Sequence, residues 1–325
     1  MTTTVSTKVA SAGGALLSLS PTTTGILGGT FAALIWATYL VFTKAGTGSG
    51  LMPQDFVLLR FGTAAAIMLP WLIRHDPRTL AGIGWRRATV LTMLAGPPFI
   101  LLSTGGYLFA PLAHGAVIQP STITLGSMIA AALLLDERLT RGKLIGVALI
   151  VAGLAVIASH ARTMGGGQAW LGDLLFVGAG LSWAGFTILI KRWALGAVAV
   201  TAAVSTVSAL VVVPAMLLWG GLGRIAALPV GTLIAQLIVQ GLLSGVLAVI
   251  AFGAAVRHLG AAKAGLFPAI VPAATLIVGA VVSGVVPTRF EAIGAALATL
   301  GLLTAIGLIR LLPTPSTPMS VPAKG

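Results

Sequence analysis

The sequence predicts an all-α polytopic membrane protein: ten transmembrane helices forming two inverted five-helix repeats, with the N- and C-termini cytoplasmic. Three observations predict it. The composition is too poor in charge for a soluble domain, ten apolar runs have the length of a bilayer crossing, and landmarks recur about 147 residues apart. Of 325 residues, 57% are apolar and 8% charged, with mean hydropathy +1.07. Soluble domains average about 25% charged residues. So little charge does not cover a water-facing surface of this size.

The runs lie near 25–44, 55–74, 89–110, 114–135, 142–160, 171–190, 198–219, 233–256, 262–284 and 291–311. Each approaches the ~20 residues that carry an α-helix across ~30 Å of hydrocarbon. They are apolar all round and lack period-two alternation, which argues against barrel strands. Helices also satisfy their own backbone hydrogen bonds, which lipid does not do for them. The expected organisation is a flexible tail at 1–24, a first repeat at 25–160, a loop at 161–170, a second repeat at 171–311 and a Pro-rich tail at 312–325. The first segment lacks the charged start and cleavage site of a signal peptide, so the first helix reads as an uncleaved anchor.

A net charge of +13 raises the question of nucleic acid. Its distribution answers it. With the N-terminus inside, the cytoplasmic side receives fourteen Lys and Arg and the outer side four (Lys44, Arg162, Arg224, Arg289). That asymmetry follows the positive-inside rule and places both termini in the cytoplasm of a cell (inner) membrane protein. Nucleic-acid binding requires a continuous basic surface rather than small clusters in alternate loops, so no nucleic-acid partner is expected. There is no cysteine, hence no thiolate metal site, and no Walker loop. No cofactor or metal is expected. The expected partners are a small-molecule substrate and the lipid bilayer, with a homodimer left open.

ALIWATYLVFTK at 33–44 is echoed by GLSWAGFTILIK at 180–191, Trp36 matching Trp183. The echo continues: Gly105 matches Gly253, Pro120 matches Pro268, Ile145-Gly146 matches Ile293-Gly294, and Gly153 matches Gly301. Two units of similar order indicate a duplication. Because five is odd, the second unit enters the membrane in the opposite sense, the inverted arrangement of many secondary transporters. The inner turn LDERLTRGKLIG corresponds to SGVVPTRFEAIG on the outer side. Asp136-Glu137-Arg138 become Gly284-Val285-Val286 and Lys143 becomes Glu291, so basic residues are shed where the repeat changes sides.

A Trp-Ala pair in the first helix, prolines in the middle of helices 4 and 9, and an ERLT turn leading into IG…G resemble the drug/metabolite transporter superfamily. The likeness is to its ten-helix EamA branch and covers about 25–311. The resemblance implies an export carrier for small metabolites, often amino acids, that works by alternating access. It does not name the substrate.

Pro120 and Pro268 each delete a backbone hydrogen bond inside a span, which membranes tolerate where the freed carbonyl is satisfied or lines a cavity. Their symmetric placement predicts helix breaks flanking a central site, with Gln119, Ser121 and Thr122 as polar contacts and Phe267 beside Pro268. The alternative is that the prolines only bend helices and the hydroxyls bond their own backbone. A second proline, Pro272, makes helix 9 the more bent of the pair. Trp36 and Trp183 lie deep in their spans and read either as facing walls of the site or as packing groups. Tyr39 and Phe186, equivalents one helical step on, extend the same wall. Arg60 is the charge farthest inside a span and reads as a vestibule group for a substrate carboxylate, or as a structural partner of Asp55. Lys44 and Lys191 read as interfacial anchors. Gly146, Gly153, Gly294 and Gly301 read as close-packing positions.

No Asp or Glu falls in the interior of a span, which argues against proton-driven export of cations. The expected function is a secondary carrier exporting small neutral or zwitterionic metabolites, amino acids foremost. The alternative cargoes are lipophilic drugs or sugar-like molecules. A non-enzyme is expected: an intramembrane enzyme needs a catalytic constellation that the sequence lacks, and a non-transporting scaffold needs docking domains.

Overall fold

The computed structural model describes residues 20–110, 112–134, 140–161, 168–218, 221–283, 288–305 and 309. Residues 1–19 of the expected N-terminal tail, the expected C-terminal tail at 312–325, the Asp136-Glu137-Arg138 turn and residues 162–167 of the expected loop lie outside them. The described residues form ten long helical segments and a short helix at Leu222–Ala226: α1 (Pro21–Gly48), α2 (Pro53–Arg74), α3 (Trp85–Leu108), α4 (Leu112–Leu134), α5 (Arg141–Ala161), α6 (Ala169–Arg192), α7 (Ala197–Leu218), α8 (Val230–Leu259), α9 (Ala261–Val282) and α10 (Arg289–Ala305). Seven of these are long and apolar enough to cross a membrane, and α4 and α10 contribute shorter apolar stretches.

Local chemistry sets the ends. α1 begins four residues before the expected start because the Ser20 hydroxyl accepts the Thr23 N–H at 3.1 Å and Pro21 occupies the first helical position. α2 also opens on a proline, and the Asp55 carboxylate accepts the Met52 N–H at 2.8 Å. The same carboxylate takes Arg224 of the short helix Leu222–Ala226 as a bidentate partner, at 2.8 and 3.0 Å. This buried acid therefore ties the first repeat to the α7–α8 connection of the second. Its hydrogen bonds and charge raise the Arg224 guanidinium above its ordinary pKa.

The third span is broken where the sequence reading had it continuous. Pro97 and Pro98 have no N–H to give to the preceding turn, and the helix stops at Ala95 and restarts at Pro97. The carbonyl freed at Leu94 accepts the Ser182 hydroxyl of α6 at 2.7 Å. Its counterpart in the second repeat, α8, is irregular over the equivalent positions, winding as a π-helix over Leu237–Leu247. α4 passes through Pro120 as one helix, whereas α9 is interrupted by a 3₁₀ stretch at Phe267–Ile270 around Pro268. The second proline of α9 accounts for the asymmetry.

Glycines set the close approaches. α5 and α10 meet backbone to backbone: a Cβ on Gly301 would lie 2.5 Å from the Gly146 carbonyl oxygen, and one on Gly153 would strike the Gly294 carbonyl. As residue numbers rise along α5 they fall along α10, so the fifth helices of the two repeats run antiparallel. α1 packs on α8 and α9, with Gly28 against the Ala251 carbonyl and Gly29 under the Phe267 ring. α6 packs on α3 and α4, with Gly180 against Thr122 and the Gln119 carbonyl. α1 and α6 thus stand at the centre, each held by two helices of the other repeat.

The Asp55–Arg224 bridge has a measurable consequence. Asp55→Asn should raise the rate at which a maleimide labels Ser103→Cys, a buried position, by about three- to tenfold. The modest size follows from the 42% exposure of Arg224, which water solvates once the pair is broken. The chain has no native cysteine to confuse the assay. An unchanged labelling rate would show that the pair does not help hold the two repeats together here.

Candidate functional site

The two central helices touch through their equivalent tryptophans, Trp36 and Trp183, with ring centroids 5.3 Å apart, edge to face. Beside this crossing is a cavity of about 40 Å³, space for a few waters and far below the ~300–1,000 Å³ of pockets that enclose drug-sized ligands. The conformation is therefore closed around the site. α1 supplies Trp36, Tyr39 and Leu40, α2 Arg60, and α3 Phe99. α4 supplies Gly115, Gln119, Pro120 and Ile123, α6 Trp183, and α9 Pro268 and Val271.

The cavity has two unlike ends. Toward the start of α1 it is aromatic. Trp183, 2% exposed, packs on Phe99 at 4.9 Å, Phe186 at 5.1 Å and Phe252 at 5.9 Å, and Trp36 packs on Phe252 at 5.2 Å. Offset and edge contacts of this kind suit the ring quadrupoles. Toward the α1–α2 turn it is polar. The Ser103 hydroxyl donates to Gln119 Oε1 at 2.8 Å. The Tyr39 hydroxyl lies beside Ser103 and Thr43 but short of hydrogen-bond geometry. Behind it, Gln240 of the π-helical stretch donates to Thr43 and to Gln236, and Gln236 donates to the Phe42 carbonyl.

Arg60 lies at this polar end, 2% exposed and seven residues inside α2, roughly 10 Å from the helix start. Its guanidinium is 5.6 Å from the Tyr39 ring centroid and 5.8 Å from that of Phe61. Asp55, the partner considered for it from the sequence, is held by Arg224 instead. Among the described residues Arg60 has neither a carboxylate nor a hydrogen-bond acceptor, and its Nε is buried without a partner.

Of the residues singled out from the sequence, Trp36, Tyr39, Arg60, Gln119, Pro120, Trp183 and Pro268 line this cavity. Four do not. Thr122 donates to its own helix at the Ile118 carbonyl (2.8 Å) and packs on Gly180. Ser121 is half-buried away from the lining. Phe186 is fully buried behind Trp183, and Phe267 lies against Gly29. Among the residues not singled out, Phe99 matters most. It follows directly on the Pro97-Pro98 break, so the GPPF string inside an apolar run was the available signal. Phe252 had none, since a lone Phe in an apolar run is ordinary.

Comparison with known proteins places this geometry. The pattern of the EamA-like transporter family matches the chain twice, over residues 23–159 and 170–307, once in each repeat. The uncharacterized transporter YyaM of Bacillus subtilis (strain 168) is 26% identical over 268 residues, covering 80% of this chain and 86% of that protein. A solved crystal structure shares the fold, with a TM-score of 0.64 at 20% identity, covering 86% of this chain and 96% of its own. The chain belongs to the EamA-like transporter family, within the drug/metabolite transporter superfamily, as a multi-pass transporter of the cell membrane.

Proposed function

We propose that the protein is a secondary carrier that exports small neutral or zwitterionic metabolites, amino acids foremost, by alternating access, with both termini cytoplasmic. One observation carries the reading. Residues equivalent by the duplication, Trp36 with Trp183 and Pro120 with Pro268, converge on one central cavity. A site between inverted repeats is one that either half opens by tilting away from the other. The closed volume supports the same reading, because cargo enters only when helices separate. The fourteen-to-four division of basic residues supports the orientation.

The test is counterflow in proteoliposomes with labelled amino acids, with and without a pH gradient. Uptake of a subset by protein shown to be folded supports the reading. Gln119→Leu should reduce that uptake by about three- to tenfold, the worth of one neutral hydrogen bond. No uptake of any amino acid would discard them as cargo and favour the lipophilic alternative, to which the aromatic end of the cavity is suited.

A further inference from the structure

Arg60 has no role in the closed fold that the structure accounts for. A charge this deep in a span is costly unless it is paired, solvated or functional. The two aromatic faces beside it offset part of that cost, but aromatic faces are not a counter-ion. The carboxylate nearest to it in sequence, Asp55, is already doubly bonded to Arg224. Among the described residues no acidic side chain lines the cavity, so none of them pairs with a simple amine. What the wall presents is one guanidinium fork, whose planar donors fit the two oxygens of a carboxylate, facing an aromatic end across the cavity.

We infer that Arg60 is the anion receptor of the transport site. The cargo carries a carboxylate held at the polar end, and its apolar body lies against Trp36 and Trp183. The inference rests on the reading of the cavity as the transport site, and it narrows the substrate class to carboxylates while excluding amines that lack one. It also gives Arg60 a part in the cycle. Closing on a bound carboxylate neutralises the buried charge, whereas closing empty buries it unpaired. Exchange should therefore outrun net efflux.

The test uses the full chain and three probes that share one apolar body: phenylalanine, 3-phenylpropionate, which lacks the amine, and phenethylamine, which lacks the carboxylate. Binding is read as thermal stabilisation of the purified protein, independently of transport. 3-Phenylpropionate should bind about 10- to 100-fold more tightly than phenethylamine, the span expected for a charge-assisted bond. Arg60→Gln should erase that preference and the excess of exchange over efflux, and Arg60→Lys should restore part of both. Equal binding of the two probes, binding of neither, or a preference retained by Arg60→Gln would overturn the inference. Should Arg60→Gln not fold, the wild-type comparison of the two probes decides alone. The two readings fail separately. Acid preference without amino-acid counterflow removes amino acids and keeps the receptor, whereas counterflow without acid preference does the reverse.

Discussion

Gly301→Leu should leave little folded protein. A Cβ at this position falls 2.5 Å from the Gly146 carbonyl oxygen and 2.8 Å from the Ile150 amide nitrogen. Those are backbone atoms of a facing helix, with no rotamer to turn aside. Side-chain overpacking costs about 1–3 kcal/mol where neighbours give way. Here α5 and α10 must move apart along their length, so the loss exceeds that range. The driving force between membrane helices is packing rather than exclusion from water, which makes close approach through small residues the main adhesive of such a seam. Gly279→Leu is the control, since nothing lies within 4 Å of a Cβ there. Detergent-solubilised variants compared by size-exclusion profile and thermal midpoint decide the matter. A Gly301→Leu protein as monodisperse and as heat-resistant as the Gly279→Leu protein would refute the close-packed seam.

Trp183→Ala should abolish most transport while sparing insertion. The indole touches Trp36, Phe99, Phe186 and Phe252, so its removal opens a void at the point where the two repeats meet. In soluble cores such a truncation costs about 3–5 kcal/mol. Within a bilayer the lost dispersion contacts remain the larger share, because the truncated site faces other helices rather than water. The site also loses its wall, and the closed state loses the contact that registers α1 against α6. Flux should fall at least about tenfold, the effect of some 1.4 kcal/mol, with Trp183→Phe retaining a measurable part. Wild-type flux in folded Trp183→Ala protein would move the transport site away from the crossing.

Much of the architecture was legible because membranes simplify it. Span length, the charge census and the recurrence of Trp-Ala, Pro and Ile-Gly need no knowledge of tertiary contacts, and they carried the ten helices and the duplication. The glycines at 146, 153, 294 and 301 were legible as close-packing positions for the same reason. Helix irregularity was harder. The break before Pro97 is written in two adjacent prolines, but the π-helical stretch of α8 contains no proline to mark it, and its Gly241 and Gly245 lie against Thr63 and Ala64 of a distant helix. At the site, residues at the helix crossing were found because the duplication marks them. Those whose side chains turn elsewhere, Thr122 and Phe186 among them, were indistinguishable by type. A few degrees of helix rotation decide whether a residue in an apolar run faces a cavity or a neighbour, and sequence spacing does not fix that rotation. The partner of Asp55 was beyond reach in the same way, since Arg224 lies 169 residues away.

Gly146 faces Gly301 while Gly153 faces Gly294, and these two pairs exchange into one another under the duplication. Between separate subunits such reciprocity would define an isologous contact, the kind that closes a two-fold dimer. The chain is therefore built as a dimer of half-molecules fused end to end and inserted in opposite senses. A near-axial contact then belongs to both halves at once. On the proposed alternating-access cycle, each access state is close to the other turned about the pseudo-two-fold axis with the halves relabelled, and a substitution that favours opening to one face should have a counterpart about 148 positions away that favours opening to the opposite one.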